Sequence, residues 1–236
     1  MPNSVASPVT EHTGATPAAL AVHIAASLRT AIAARGHALL AVSGGKSPIA
    51  LFEALRTQAL DWSNTAVILV DERVVPHDHA DSNTALVRQH LLRDAAAAAR
   101  FVPFFDHLPD TLDDTALETL VAQANQRLAS LPWPLDVAVL GMGDDGHTAS
   151  LFPAAPGLSR ALQASGPLAW VRPATAPHAR LTLTLPTLLA SRGLALSIAG
   201  ATKLAVYQQA CGATDPALPV SLVLNQHQTP VSVWIA

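Results

Sequence analysis

Apolar and polar positions along this chain fall into blocks whose lengths separate strands from helices. From Pro17 to Arg35, apolar residues recur at helical spacing (Leu20, Ile24, Leu28, Ile32), and Gly36 stands where a left-handed C-terminal cap is expected. His37 to Val42 is a short unbroken apolar run, the pattern of a strand buried on both faces. A helix is predicted from Pro48, with Leu51, Phe52 and Leu55 on one face and the proline tolerated in its first turn. Thr65 to Val70, Leu135 to Leu140, Ala169 to Arg172, Leu181 to Leu185, Leu194 to Ile198 and Val231 to Ile235 read as further strands. Phe101 to Phe105 reads as a strand weakened by Pro103. Helices are predicted from a Ser82 N-cap to about Leu92, over Thr115 to Leu131, and over Thr202 to Ala210. Residues 74–81 read as polar loop, 93–100 as a helix end or linker, and 153–166 as an irregular connection.

Strands and helices thus alternate at βαβ spacing. This predicts an α/β fold with a largely parallel, Rossmann-like sheet covered by helices on both faces. The sequence has no repeat, heptad pattern or composition shift that marks a second domain. A single domain over residues 17–236, behind a flexible leader of residues 1–16, is the expectation.

Half of the residues are hydrophobic and 13% are charged, which excludes global disorder. The net charge is −3, with no basic block, so neither nucleic acid nor an anionic membrane is the expected partner. A single cysteine, Cys211, excludes an intramolecular disulfide framework and fits a reducing compartment. There is neither a signal-peptide pattern at the start nor an uninterrupted apolar run of about 18 residues. A cytoplasmic protein, monomeric or homodimeric, is expected.

Two glycine-rich stretches interrupt this pattern just after apolar runs. Ser43-Gly44-Gly45-Lys46-Ser47 joins a strand to a helix start, so backbone N–H groups and the helix dipole can meet a phosphate there. It lacks the spacing of a Walker loop. Gly141-Met-Gly-Asp-Asp-Gly146 formally matches the dinucleotide pattern G-x-G-x-x-G. Two carboxylates would then flank a pyrophosphate, and no Asp or Glu lies between Leu151 and Val171 to receive a ribose, so a nicotinamide cofactor is rejected. His147, two residues after Asp145, is instead a candidate general base oriented by that carboxylate. Asp71-Glu72-Arg73 ends another apolar run, where charge must face solvent or a site. The pair His77 and His79 has metal-ligand residue types, but without a third ligand at suitable spacing no metal site is assigned. Arg180 and Lys203 are isolated cations near a strand start and a helix start.

Together, Ser43-Gly-Gly-Lys-Ser-Pro48, Asp71-Glu-Arg-Val-Val-Pro76 with Ser82-Asn83, the 141–153 block ending Gly-His-Thr-Ala-Ser-Leu-Phe-Pro, Arg180-Leu-Thr-Leu-Thr184 and Gly200-Ala-Thr-Lys203 resemble the glucosamine-6-phosphate isomerase/6-phosphogluconolactonase family. One departure is Ser47, where the family commonly has Thr. The resemblance implies a three-layer αβα sandwich, no redox cofactor, and hydrolysis of a phosphorylated sugar lactone, 6-phospho-D-glucono-1,5-lactone, to 6-phosphogluconate. It implies that Ser43, Gly44, Gly45, Ser47, Arg180 and Lys203 hold the phosphate, while His147, Asp145 and Arg73 act at the lactone. The isomerases of the same family carry a Glu where this chain has Phe152, which disfavours isomerisation with amine loss. A non-catalytic sugar-phosphate sensor is the other alternative, disfavoured by the retained histidine and the short, non-basic segment before the first helix.

Overall fold

The computed structural model describes residues 9–236. Among these residues, seven strands form one wholly parallel sheet: β1 (Val9–Thr13), β2 (Ala38–Val42), β3 (Thr65–Leu69), β5 (Arg100–Phe101), β6 (Val137–Leu140), β9 (Leu194–Ile198) and β10 (Val231–Ile235). Their spatial order is β1-β10-β9-β6-β2-β3-β5. A small antiparallel sheet, β4 (Asp71–Arg73), β8 (Arg180–Leu183) and β7 (Leu168–Val171), packs beside it. The helices are α1 (Pro17–Arg35), α2 (Ile49–Leu55), α3 (Asn83–His90), α4 (Asp114–Leu128), α5 (Leu158–Gln163), α6 (Leu185–Leu189), α7 (Ala201–Ala210) and α8 (Val220–Leu224). With helices flanking the mostly parallel central sheet, the molecule is a three-layer α/β fold.

α1 starts on Thr16, whose hydroxyl accepts from the Ala19 N–H, and ends on Gly36 in the left-handed conformation. The helix is long and apolar enough to cross a bilayer by length and composition. Its Leu20, Ile24 and Leu28 are nevertheless buried in the core shared with β2 and α2. Truncating Leu28 to alanine would cost about 2–5 kcal/mol through the cavity left behind.

The structure departs from the sequence expectations in five places. Val9–Thr13, assigned to the leader, pairs in register with β10 as the edge of the main sheet; residues 1–8 lie outside the described residues. β5 is cut to two residues, because Pro103 has no N–H for a ladder. β7 and β8 do not join the parallel sheet, since residues 172–179 are too few for a parallel crossover, which needs a dozen or more. The strand expected to reach Leu185 stops at Leu183, where Thr184 instead caps α6 by accepting from the Thr187 N–H. The connection over 153–166 also contains a short helix, α5.

The order of the main sheet creates the site. From β2 the chain proceeds outward to β3 and β5, whereas β6 lies on the other flank of β2 and is followed by β9, β10 and β1. The connections leaving β2 and β6 therefore part in opposite directions and open a crevice at the carboxyl ends of those strands.

Candidate active site

Residues 141–152, following β6, fold into a turn held by several internal hydrogen bonds. The Gly143 N–H donates to the His147 carbonyl at 2.9 Å, the Gly146 N–H to the Gly143 carbonyl at 3.1 Å, and the Thr148 hydroxyl to the Gly141 carbonyl at 2.9 Å. The turn folds the imidazole of His147 back over Gly143, where any Cβ would overlap the ring and the Asp145 carboxylate. Nδ1 of His147 lies 2.5 Å from Asp145 Oδ1, which also accepts the His147 backbone N–H at 3.1 Å. A carboxylate at that distance places the ring proton on Nδ1 and leaves the Nε2 lone pair free. Phe152 stacks on the ring with centroids 4.1 Å apart. The buried Ser150 hydroxyl donates to Asp71 Oδ2 at 2.6 Å, tying this turn to β4.

The turn after β2 has the opposite character. Ser43 Oγ donates to the Val139 carbonyl at 2.7 Å and accepts from the Gly141 N–H at 3.2 Å, which laces the two turns together. Beyond Ser43, the N–H groups of Gly44, Gly45, Lys46 and Ser47 donate to no protein group among the described residues. Gly44 is pressed against the carboxamide of Asn83, and a Cβ there would overlap it. Asn83 Nδ2 donates to the Asp71 carbonyl at 2.8 Å, and its buried Oδ1 has no partner among the described residues.

β4 and β8 bring two cations together. Arg73 and Arg180 are directly opposed in their antiparallel register, an arrangement that repels unless an anion joins it. Arg180 is 5% exposed and its Nη1 is buried without a partner among the described residues. Burial, and then the charge of Arg73, hold the Arg180 guanidinium below its ordinary pKa. Arg73 donates to the Asp81 carbonyl. Beneath the pair, the fully buried Glu72 accepts the N–H groups of Arg73, Asn83 and Thr84 at 2.7–2.8 Å and the Ser82 hydroxyl at 3.2 Å. Burial pushes the Glu72 pKa up, and those N–H bonds oppose the shift. Glu72 thus serves as the anchor of the α3 start, where Ser82 also caps through the Ala85 N–H.

Ser43, Gly44, Gly45, Ser47, Arg73, His147, Arg180 and Lys203 all line one cleft of about 460 Å³, and Asp145 stands behind the histidine. Lys203 reaches it from the first turn of α7. Lys46 is exposed and outside the lining. Asn83 also lines the cleft; the sequence offers it only as part of the family-like Ser82-Asn83 pair, with no role assigned, and its buried, half-satisfied amide now distinguishes it. Ser150 and Glu72 lie in stretches the sequence singles out, but their structural roles cannot be read there, because they depend on partners 79 and 11 residues away. The grouping of His77 with His79 fails. His77 stacks on Phe105, and burial lowers its pKa.

A family model described as glucosamine-6-phosphate isomerases/6-phosphogluconolactonase matches residues 11–234. A 6-phosphogluconolactonase of Pseudomonas aeruginosa is 48% identical over 201 residues, covering 83% of this chain and 81% of that protein. One of Neisseria meningitidis is 43% identical, covering 92% and 93%. A crystal structure of a 6-phosphogluconolactonase from Shewanella baltica superposes with a TM-score of 0.89 at 40% identity, covering 97% of each chain. With that cleft, that sheet order and these relatives, the chain belongs to the glucosamine-6-phosphate isomerase/6-phosphogluconolactonase family.

Proposed function

We propose that this enzyme hydrolyses 6-phospho-D-glucono-1,5-lactone to 6-phospho-D-gluconate, in the oxidative branch of the pentose phosphate pathway. The observation that carries the reading is the Asp145–His147 pair facing a cleft that also holds the unpaired Arg180 guanidinium. The substrate phosphate is received by N–H groups of the turn beyond Ser43, at Gly44 and Gly45, and by Ser47, Arg180 and Lys203. Charge-assisted bonds of this kind are worth about 1.5–3 kcal/mol each. Neutral His147 takes a proton from water through Nε2 while the water oxygen attacks C1. Asp145 stabilises the imidazolium that forms, and Arg73 the oxyanion on the former carbonyl. Collapse of the tetrahedral intermediate breaks the bond from C1 to the ring oxygen, and the imidazolium returns its proton to that oxygen. Water is thus consumed, and the ring opens to the acid with no covalent enzyme intermediate.

Arg73 and Arg180, opposed across two strands, are close enough to serve the two ends of one small sugar phosphate. Phe152 gives the imidazole an apolar neighbour where the isomerases carry a carboxylate, which suits one-step hydrolysis. In the same reading the enzyme works in the cytoplasm, where the exposed thiol of Cys211 stays reduced. The test is an assay with freshly prepared 6-phosphogluconolactone against its spontaneous hydrolysis, run beside glucosamine 6-phosphate. Acceleration of the first and inertness toward the second is the expected result; the reverse would overturn the reading.

A further inference from the structure

Outside the cleft lining but next to Arg73 and Arg180, three side chains from two distant segments converge. His79 and Asp81 belong to the loop after β4, and His178 to the connection that enters β8. One ligand atom from each lies within 4.8 Å of the other two. Asp81 Oδ2 is 3.1 Å from His178 Nε2 and 3.9 Å from His79 Nδ1, and the two imidazoles meet edge to face with centroids 5.3 Å apart. His178 is held there at φ 70, in the left-handed region that few residues other than glycine adopt.

We propose that His79, Asp81 and His178 form a binding site for a divalent first-row transition metal of the zinc type. Two imidazoles and one carboxylate are the donor set that zinc accepts, and one that magnesium and calcium do not favour. Metal bonds of about 2.0–2.1 Å require ligand atoms about 3.3 Å apart in a tetrahedron. The Asp81–His178 separation already matches that edge. The remaining adjustment falls on His79, a half-exposed side chain free to turn. Its Nδ1 accepts the Asp81 backbone N–H at 3.0 Å, so that nitrogen carries a lone pair, which the metal would take over. Water completes the coordination.

The position gives such an ion a mechanical role. Asp81 supplies the carbonyl that receives Arg73, and His178 stands two residues before Arg180. An ion held by both segments clips the mouth of the cleft beside the two opposed arginines. It takes no part in activating water and does not depend on which lactone is cleaved.

Equilibrium dialysis of the whole chain against Zn²⁺, with Mg²⁺ as a second arm, tests the site. One zinc per chain is expected, no magnesium, and a melting temperature that rises with zinc. Asp81→Ala and His178→Ala should each lose the bound zinc and the thermal shift, while His227→Ala, at an exposed histidine elsewhere, should keep both. Asp81 is exposed and His178 partly buried; circular dichroism of the metal-free variants checks that they fold. Retention of stoichiometric zinc in Asp81→Ala and His178→Ala overturns the proposal. So does its loss in His147→Ala, which would put the ion at the catalytic pair. A failed lactonase assay would leave these binding results standing, so the two readings fail separately.

Discussion

Two glycine-rich turns leave neighbouring parallel strands, β2 and β6, and they solve opposite problems. The turn after β6 is braced from within: the Gly143 and Gly146 N–H groups and the Thr148 hydroxyl donate inward, and the outcome is one imidazole in one orientation. The turn after β2 leaves successive N–H groups without partners among the described residues, and its Gly44, Gly45 and Ser47 line the same cleft. The first is a mount for a side chain, the second a receptor for something absent from the chain. Similar glycine content therefore means different things, and only the hydrogen-bond ledger tells them apart. Unpaired donors at a cleft are tolerable because water or a ligand can reach them, whereas donors under a catalytic ring must be satisfied internally.

The strongest way to break this comparison is to remove what the first turn mounts. His147→Ala should lower kcat by about 10²–10⁴-fold while a sugar phosphate still binds. Isothermal titration with the product 6-phosphogluconate checks the second half, and near-normal turnover would remove His147 as the base. Gly143→Ala keeps the histidine but forces the ring off its seat, since a Cβ overlaps both His147 and Asp145. A displacement near 1 Å can cost on the order of 10²-fold, so kcat should fall by about that factor with KM little changed. If KM rose instead and kcat held, the two turns would not divide their work as described.

Arg180→Ala addresses the receptor side. Loss of charge-assisted bonds worth about 1.5–3 kcal/mol should raise KM by roughly 10- to 100-fold, and Arg73→Ala should fall mainly on kcat. Without ligand, Arg180→Ala should not lower the melting temperature, because it relieves the repulsion of two opposed arginines. A marked loss of stability would show that Arg180 has a structural partner.

Much of this was legible in the sequence, and the gaps have a common cause. The inner strands of the main sheet are short apolar runs, so their pattern survives in one dimension; β2 and β3 are buried at every position. Both glycine turns, Asp145, His147 and Arg73 could be singled out because polar and glycine-rich residues break off just after apolar runs, whereas Arg180 and Lys203 read as isolated cations and take a role only from the family resemblance. The antiparallel strand β4 could not, because Asp71–Arg73 has the composition of a loop and becomes a strand only by pairing with β8, over a hundred residues later. Val9–Thr13 was hidden likewise, being polar on an edge and ordered by β10 at the other end of the chain. The roles of Asn83, Glu72 and Ser150 are long-range hydrogen bonds, which leave no periodicity behind.

The finest test concerns two serines of the same turn. Family resemblance puts both Ser43 and Ser47 on the phosphate, yet the structure separates them. The Ser43 hydroxyl is committed at both ends, donating to Val139 and accepting from Gly141. Ser47 is exposed in the cleft lining with no such commitment. Ser47→Ala should therefore raise KM by about tenfold, the worth of one hydrogen bond to a charged group. Ser43→Ala should leave KM unchanged and instead lower stability by about 0.5–1.5 kcal/mol, because the part-buried hydrogen bonds to Val139 and Gly141 are lost. Denaturant unfolding beside steady-state kinetics distinguishes the two. Should Ser43→Ala raise KM with stability intact, its hydroxyl must turn to the ligand on binding, and the lacing of the two turns would be a feature of the empty cleft alone.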